Sequence, residues 1–170
     1  MDTLAVLIAK DKIRDLVMPY SRAADQRDSE LMRSLYTHDA VDNHGEVFHC
    51  NADEIIAFMK TAEPSMGYTG HYLCNHLISV TSEDEAHGEA YVVAYHVMLG
   101  DHGAVSEVTM LVRYVDHYRK EQGQWRFAKR DAIFDYQMSR PIGDQKQIFP
   151  DLDLTYQLLP GHLFARGGRK

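Results

Sequence analysis

The chain has little that would place it in a membrane, on a nucleic acid or in a disulfide framework. No apolar run approaches the ~20 residues that a membrane-spanning helix needs. The stretch Met1 to Lys10 carries an apolar patch, but it has neither a basic start nor a cleavage pattern, so no signal peptide is expected. Long basic runs are missing and the net charge is −7, which argues against a nucleic-acid groove and against binding to an anionic membrane. The one basic cluster, Arg166 to Lys170, includes two glycines and is expected to fray. There are two cysteines, Cys50 and Cys74, and no CxxC, so a reducing cytoplasm fits better than an oxidising compartment. HExxH is absent. The cluster His38, Asp39, Asp42, His44 and His49 lacks a diagnostic ligand spacing, so no metal is expected. No repeat, low-complexity segment or linker divides the chain.

What is present is an ordinary globular mixture. Of 170 residues, 45% are hydrophobic and 25% charged, enough for one domain with a real core. The ten histidines are a high count, and histidine is the side chain that titrates near neutrality. That excess directs attention to acid–base chemistry.

Ile13, Leu16, Val17, Tyr20, Ala23 and Ala24 recur at helical spacing and predict an amphipathic helix from about Leu7 to Arg27. Asp25 lies at the edge of its apolar stripe, near a helix end whose dipole favours cations. Asp28 is placed to cap a short second helix, Ser29 to Tyr36. A small hairpin follows, Asp39 to Glu46 pairing with Val47 to Cys50. Asn51-Ala52-Asp53-Glu54 then forms a capping box that opens a third helix, ending before Pro64.

Beyond it the pattern changes to four long strand-like stretches: Gly70 to Thr81, Ala86 to Gly100, Ala104 to Glu121, and Trp125 to Arg140. Short polar connections between them predict an antiparallel meander. The fold class expected is α+β, with three N-terminal helices packed on one face of a curved, mostly antiparallel sheet. Residues 1–140 would form the domain. Residues 141–170 would form a tail whose Ile148, Phe149, Leu152, Leu154, Leu158 and Leu159 need cover, on the pocket mouth or a neighbouring subunit.

One strand draws the chemistry together. In Gly70 to Val80, strict alternation sets His71, Leu73, Asn75 and Leu77 on one face and Tyr72, Cys74, His76 and Ile78 on the other. His71 in an apolar cup is a candidate general base. His76 and Cys74 face away from it. Arg130 on the last strand must either meet a ligand or pair with a carboxylate such as Asp25 or Asp131. Met98, Met110, Tyr91 and Tyr95 are expected to pack within the sheet.

Tyr20-x4-Asp25 on the first helix, His71-Tyr72-x2-Asn75-x-Leu77 on the first long strand and Trp125-x-Phe127-x2-Arg130 on the last occur in an order that resembles the SnoaL-like family. That family has the nuclear-transport-factor-two-like cone fold. The resemblance covers roughly residues 8–140. It points to the branch containing scytalone dehydratase, bile acid 7α-dehydratase and hexachlorocyclohexane dehydrochlorinase. It implies a cone-shaped α+β barrel in which Asp25 orients His71, His71 removes a proton and a leaving group departs without metal or organic cofactor.

Arg130 would hold the substrate or stabilise developing charge, and Tyr20 would bond a substrate oxygen. His96 matches a second histidine of scytalone dehydratase, and Asn75 belongs to the same wall. One departure stands out: where relatives carry tyrosine or tryptophan on the first short strand, this chain has Asp42-Asn43-His44, so His44 stands as the donor. The resemblance also implies a homotrimer joined through the outer sheet face.

The function expected is a cofactor-independent lyase of the dehydratase type. It would act on a small to medium apolar cyclic or aromatic molecule. Three alternatives share the cone. One is an isomerase or polyketide cyclase, another a non-catalytic subunit like the small subunit of ring-hydroxylating dioxygenases, and the third a binding protein for an apolar metabolite.

Overall fold

The computed structural model describes residues 1–100 and 104–143. The predicted turn Asp101-His102-Gly103 and nearly all of the predicted tail lie outside the described residues. Helix α1 spans Thr3–Gln26, and the Asp2 side chain caps it by accepting from the Ala5 N–H at 2.7 Å. It buries Ala9, Ile13, Leu16, Val17, Tyr20 and Ala23, the stripe that the periodicity marks. It ends at Arg27, which adopts φ 57°, a left-handed conformation usually left to glycine. Tertiary bonding holds it there: one guanidinium nitrogen donates to the carbonyls of Met66 and Gly67, both at 2.8 Å.

Helix α2 (Ser29–Ser34) is capped by Asp28 and stops two residues short of the expected end, because Tyr36 begins a strand. Strands β1 (Tyr36–Asn43) and β2 (His49–Asn51) form the predicted hairpin. Helix α3 (Ala52–Ala62) has the Asn51–Glu54 capping box in full. A 3-10 turn, Glu63–Ser65, leads into β3 (Met66–Val80), and β4 (Glu85–Leu99), β5 (Val105–Glu121) and β6 (Gln124–Pro141) complete the meander.

The strands lie in the order β2-β1-β6-β5-β4-β3. All pairs are antiparallel except β1 with β6, so the chain returns to lay its last strand between the early hairpin and the meander. The result is a single α+β domain: helices against the concave face of a curved, unclosed six-stranded sheet.

Bulges in two of the long strands decide which residues face inward. In β3 the register slips by one between Leu73 and His76. An extra residue there reverses the alternation. Cys74 and Asn75 are both exposed, and His76 turns inward, where its Nε2 lies 3.0 Å from the Tyr118 hydroxyl. This corrects the expectation that Asn75 shares a face with His71 and that His76 does not. In β6 a slip between Phe127 and Lys129 puts Arg130 on the same inner face as Trp125 and Phe127.

Arg130 is fully enclosed. Its Nε and one terminal nitrogen donate to the two Asp116 oxygens at 2.7 and 2.8 Å. The guanidinium carbon lies 4.0 Å from the Tyr20 ring, 4.1 Å from Tyr114 and 4.2 Å from Phe127. Burial alone would lower its pKa, but the Asp116 charge more than reverses this and holds it well above the ordinary arginine value. The carboxylate partner is therefore Asp116, in place of the Asp25 or Asp131 that the sequence suggested.

Asp116 also accepts from the Tyr118 hydroxyl at 2.8 Å, so one polar chain runs Arg130–Asp116–Tyr118–His76 beneath the core. Gly88 leaves room for it, since a Cβ there would sit 2.8 Å from the Tyr118 ring. Removing Arg130 would strand a buried carboxylate. Arg130→Met should cost about 3–5 kcal/mol of unfolding free energy by urea denaturation. A loss below about 1 kcal/mol, the range of an exposed ion pair, would contradict this role.

Candidate active site

The last turn of α1 and the start of β3 meet at one pair of residues. His71 Nδ1 lies 2.7 Å from Asp25 Oδ1, and the His71 backbone N–H donates to Asp25 Oδ2 at 3.1 Å. Both carboxylate oxygens thus serve one residue. The bond assigns the ring proton to Nδ1 and leaves the Nε2 lone pair as the basic site. The His71 side chain is 12% exposed and the Asp25 side chain 20%, so the pair is sheltered but reachable. Asp25 resolves its unfavourable place at a helix C-terminus through this contact.

His96 on β4 completes the wall. Its register partner is Thr69, two residues before His71 on the same face, and its Nε2 lies 3.4 Å from His71 Nε2. Burial, reinforced by the neighbouring His71, lowers the His96 pKa to about 4. His96 is therefore neutral near pH 7 and can donate an N–H without competing for charge.

These groups open on a cavity of about 370 Å³ between the sheet and the helices. Its lining is mainly apolar: Ala24, Val47, Phe48, Ile55, Phe58, Val108, Val112, Phe134 and five methionines, at positions 32, 59, 66, 98 and 110. The polar lining includes Tyr20, His44, Thr69, His71, His96, Tyr114 and Gln137, with Arg27 and Glu63 where the cavity meets solvent. Few polar groups in an apolar shell suit a small apolar ligand that must be oriented. Burial raises the Tyr20 phenol well above its ordinary pKa and pushes Tyr114 up to about 12, so both are O–H groups at neutral pH.

His44 enters from the turn between β1 and β2. Its Nδ1 is 2.6 Å from Asp42 Oδ1, although the ring N–H is out of line for a hydrogen bond. Asp42 is fully buried and accepts from the Tyr36 hydroxyl. The His44 ring stacks on Phe48, with centroids 4.2 Å apart.

Of the residues singled out from the sequence, His71, Asp25, Tyr20, His44 and His96 are thus brought together. Asp25 supports His71 from behind, while the other four line the cavity. Arg130 and Asn75 do not line it. Arg130 is sealed behind Tyr20 and Tyr114 by its bond to Asp116, and the β3 bulge turns Asn75 outward. Met98 and Met110 face the cavity, whereas Tyr91 is exposed and Tyr95 donates to Glu107. Tyr114, Phe134 and Gln137 went unmarked. Tyr114 follows Val112 on the inner face of β5, which alternation alone could have revealed. Phe134 and Gln137 share a face only because of the β6 slip near Asp135. Ligand atoms of His38, Asp39 and Glu121 come within 4.8 Å of one another on an exposed edge, where His38 and Glu121 already pair.

Residues 5–131 match the SnoaL-like domain. The chain belongs to the SnoaL-like family. A comparison with curated protein sequences finds no match for this SnoaL-like protein. Among solved structures it is similar to a hexachlorocyclohexane dehydrochlorinase of Novosphingobium barchaimii, with 18% identity, a TM-score of 0.74, and 88% of this chain and 100% of that one covered. It is also similar to a scytalone dehydratase candidate of Novosphingobium aromaticivorans, with 22% identity, a TM-score of 0.73, and 85% and 100% covered. A third likeness is to the β subunit of a candidate aromatic-ring-hydroxylating dioxygenase from the same organism, with 19% identity, a TM-score of 0.61, and 77% and 92% covered. At these identities the likeness is one of fold. Among the described residues of this SnoaL-like protein, no helix is long and apolar enough to cross a membrane.

The depressed His96 pKa makes stability depend on pH. As pH falls below the ordinary histidine value of 6.5, the unfolded chain binds a proton that the folded His96 refuses until about pH 4. Stability is therefore full above the upper value and falls as pH drops through the window, with burial of His76 acting in the same direction. From pH 7 to pH 5 His96 alone should cost about 2 kcal/mol, read from urea unfolding at the two pH values. His96→Asn should flatten the slope by about that amount. An unchanged slope would contradict the assignment.

Proposed function

We propose that the chain is a cofactor-independent lyase of the dehydratase type. It would act on a small to medium apolar cyclic or aromatic molecule, such as a polyketide, steroid or lignin-derived compound. The observation that carries this is the Asp25–His71 pair, 2.7 Å apart at the wall of an apolar cavity. His71 Nε2 removes a proton from a carbon acidified by a neighbouring carbonyl or aromatic system. Asp25 holds the ring in the tautomer that can accept it and stabilises the imidazolium formed. Tyr20, His44 and His96 meet the substrate oxygen that gains charge or leaves. Arg130 acts from behind, fixing Tyr20 and Tyr114 in place.

The fold likeness to a dehydrochlorinase and a scytalone dehydratase candidate supports this reading, since both names denote an elimination. A purely supporting subunit would need neither an inward acid–histidine pair nor an open cavity. An isomerase or cyclase would share the first proton transfer, and product mass separates it from a lyase.

The same reading takes the assembly to be a homotrimer. Tyr72, Leu77, Tyr91, Leu111, Val115, Ile133 and Tyr136 are exposed, most of them on the outer sheet face. It places the protein in the cytoplasm, where the free Cys50 and Cys74 would stay reduced.

A β-hydroxy aryl ketone is a suitable probe, with loss of water followed by absorbance of the enone. His71→Ala should lower kcat about 100- to 10,000-fold. Asp25→Asn should lower kcat with little change in KM, because it touches no substrate. Undiminished turnover by His71→Ala would contradict the proposal.

A further inference from the structure

The cavity holds a second carboxylate-backed histidine. Asp42 and His44 are two apart and share the inward face as β1 ends, which places the carboxylate beside the ring. The ring position is fixed three ways: its backbone N–H donates to the Phe48 carbonyl at 2.8 Å, its carbonyl accepts from Val47 at 3.0 Å, and its face stacks on Phe48. Behind it, Asp42 has no solvent exposure and takes a bond from Tyr36. A carboxylate so enclosed needs a positive or proton-donating neighbour. His44 Nδ1 is itself enclosed against Asp42, which leaves the Nε2 edge of a cavity-lining ring for a bound molecule.

The two histidines come from opposite ends of the strand order. His71 lies on β3 at one edge, and His44 follows β1 near the other. The curvature of the sheet brings both to one cavity. One such histidine suffices to eliminate a halide, which departs as a stable anion. A hydroxyl or alkoxyl group is a poor leaving group and needs a proton as its bond to carbon breaks.

Resting on the elimination reading above, we propose that His44, backed by Asp42, is the general acid partnering His71. The natural leaving group is then an oxygen that departs as water or an alcohol. In the step, the substrate C–H proton passes to His71 Nε2 and its electron pair forms the new C=C bond. The C–O bond breaks with its pair moving to oxygen, and that oxygen takes the Nε2 proton of a His44 imidazolium. His71 ends protonated and His44 neutral, and exchange with water restores both.

The test compares two matched probes, a β-hydroxy aryl ketone and the corresponding β-chloro ketone, which differ in their need for an acid. His44→Gln should lose about 100-fold more kcat/KM on the hydroxy than on the chloro ketone. Asp42→Asn, which keeps the volume and withdraws the countercharge, should show the same selectivity with a smaller loss, so the test stands on either variant. His71→Ala should lose both activities together. Equal losses on the two probes by both His44→Gln and Asp42→Asn, or no loss on the hydroxy ketone, would overturn the acid assignment while leaving the His71 base intact. No elimination from either probe by the wild-type chain would overturn the proposed function and this inference with it.

Discussion

The contact between Asp25 and His71 is the point on which the molecule turns. A carboxylate in the last turn of a helix faces a run of unpaired carbonyls and gains nothing from the helix dipole. Here it bonds both the backbone and the ring of one strand residue. Two residues later, Arg27 binds the carbonyls of Met66 and Gly67 at the start of the same strand. The end of α1 is thereby docked to β3 by groups that would otherwise be poorly placed. The docking closes one wall of the cavity, fixes the His71 tautomer and leaves its Nε2 facing the space where a ligand would sit.

The rest of the site divides its charge between two layers. Facing the cavity beside the carboxylate-backed His44 are groups that are neutral at neutral pH: the raised phenols of Tyr20 and Tyr114, and His96 with its proton affinity reduced by burial. Behind Tyr20 and Tyr114 lies a full ion pair, Arg130 with Asp116, enclosed and bonded at both carboxylate oxygens. The guanidinium against the tyrosine rings stiffens the wall without exposing a cation to an apolar ligand. The five cavity methionines add a surface that adapts to ligand shape, since thioether side chains are unbranched and polarisable.

The helices, their caps, the hairpin and the antiparallel meander were legible in the sequence because each rests on local rules, whereas the parallel pairing of β1 with β6 was not. The α1 stripe, the Asp28 cap and the Asn51–Glu54 box all occur where period and residue type placed them. His71 and Asp25 were legible as a possible pair through the family resemblance and the odd position of the acid. The faces of β3 and β6 were not fully legible. A single inserted residue between Leu73 and His76 sends Asn75 outward and His76 inward, and alternation has no means of signalling it. The same holds for Arg130, whose partner Asp116 lies on the neighbouring strand in a register that only pairing reveals. The His44–Asp42 contact follows the two-residue period at the end of β1, but the stacking of the ring on Phe48 needed the turn between β1 and β2, which no period signals.

In the proposed reaction His71, oriented by Asp25, removes a proton from carbon inside the cavity. Deuterium exchange tests it without waiting for a leaving group. An aryl ketone with no group to eliminate is incubated with the protein in heavy water, and label at the carbon beside the carbonyl is followed by proton NMR. Exchange by the wild-type protein should run well above the buffer rate and be lost in His71→Ala. Exchange no faster than buffer, or unaffected by His71→Ala, would contradict that step.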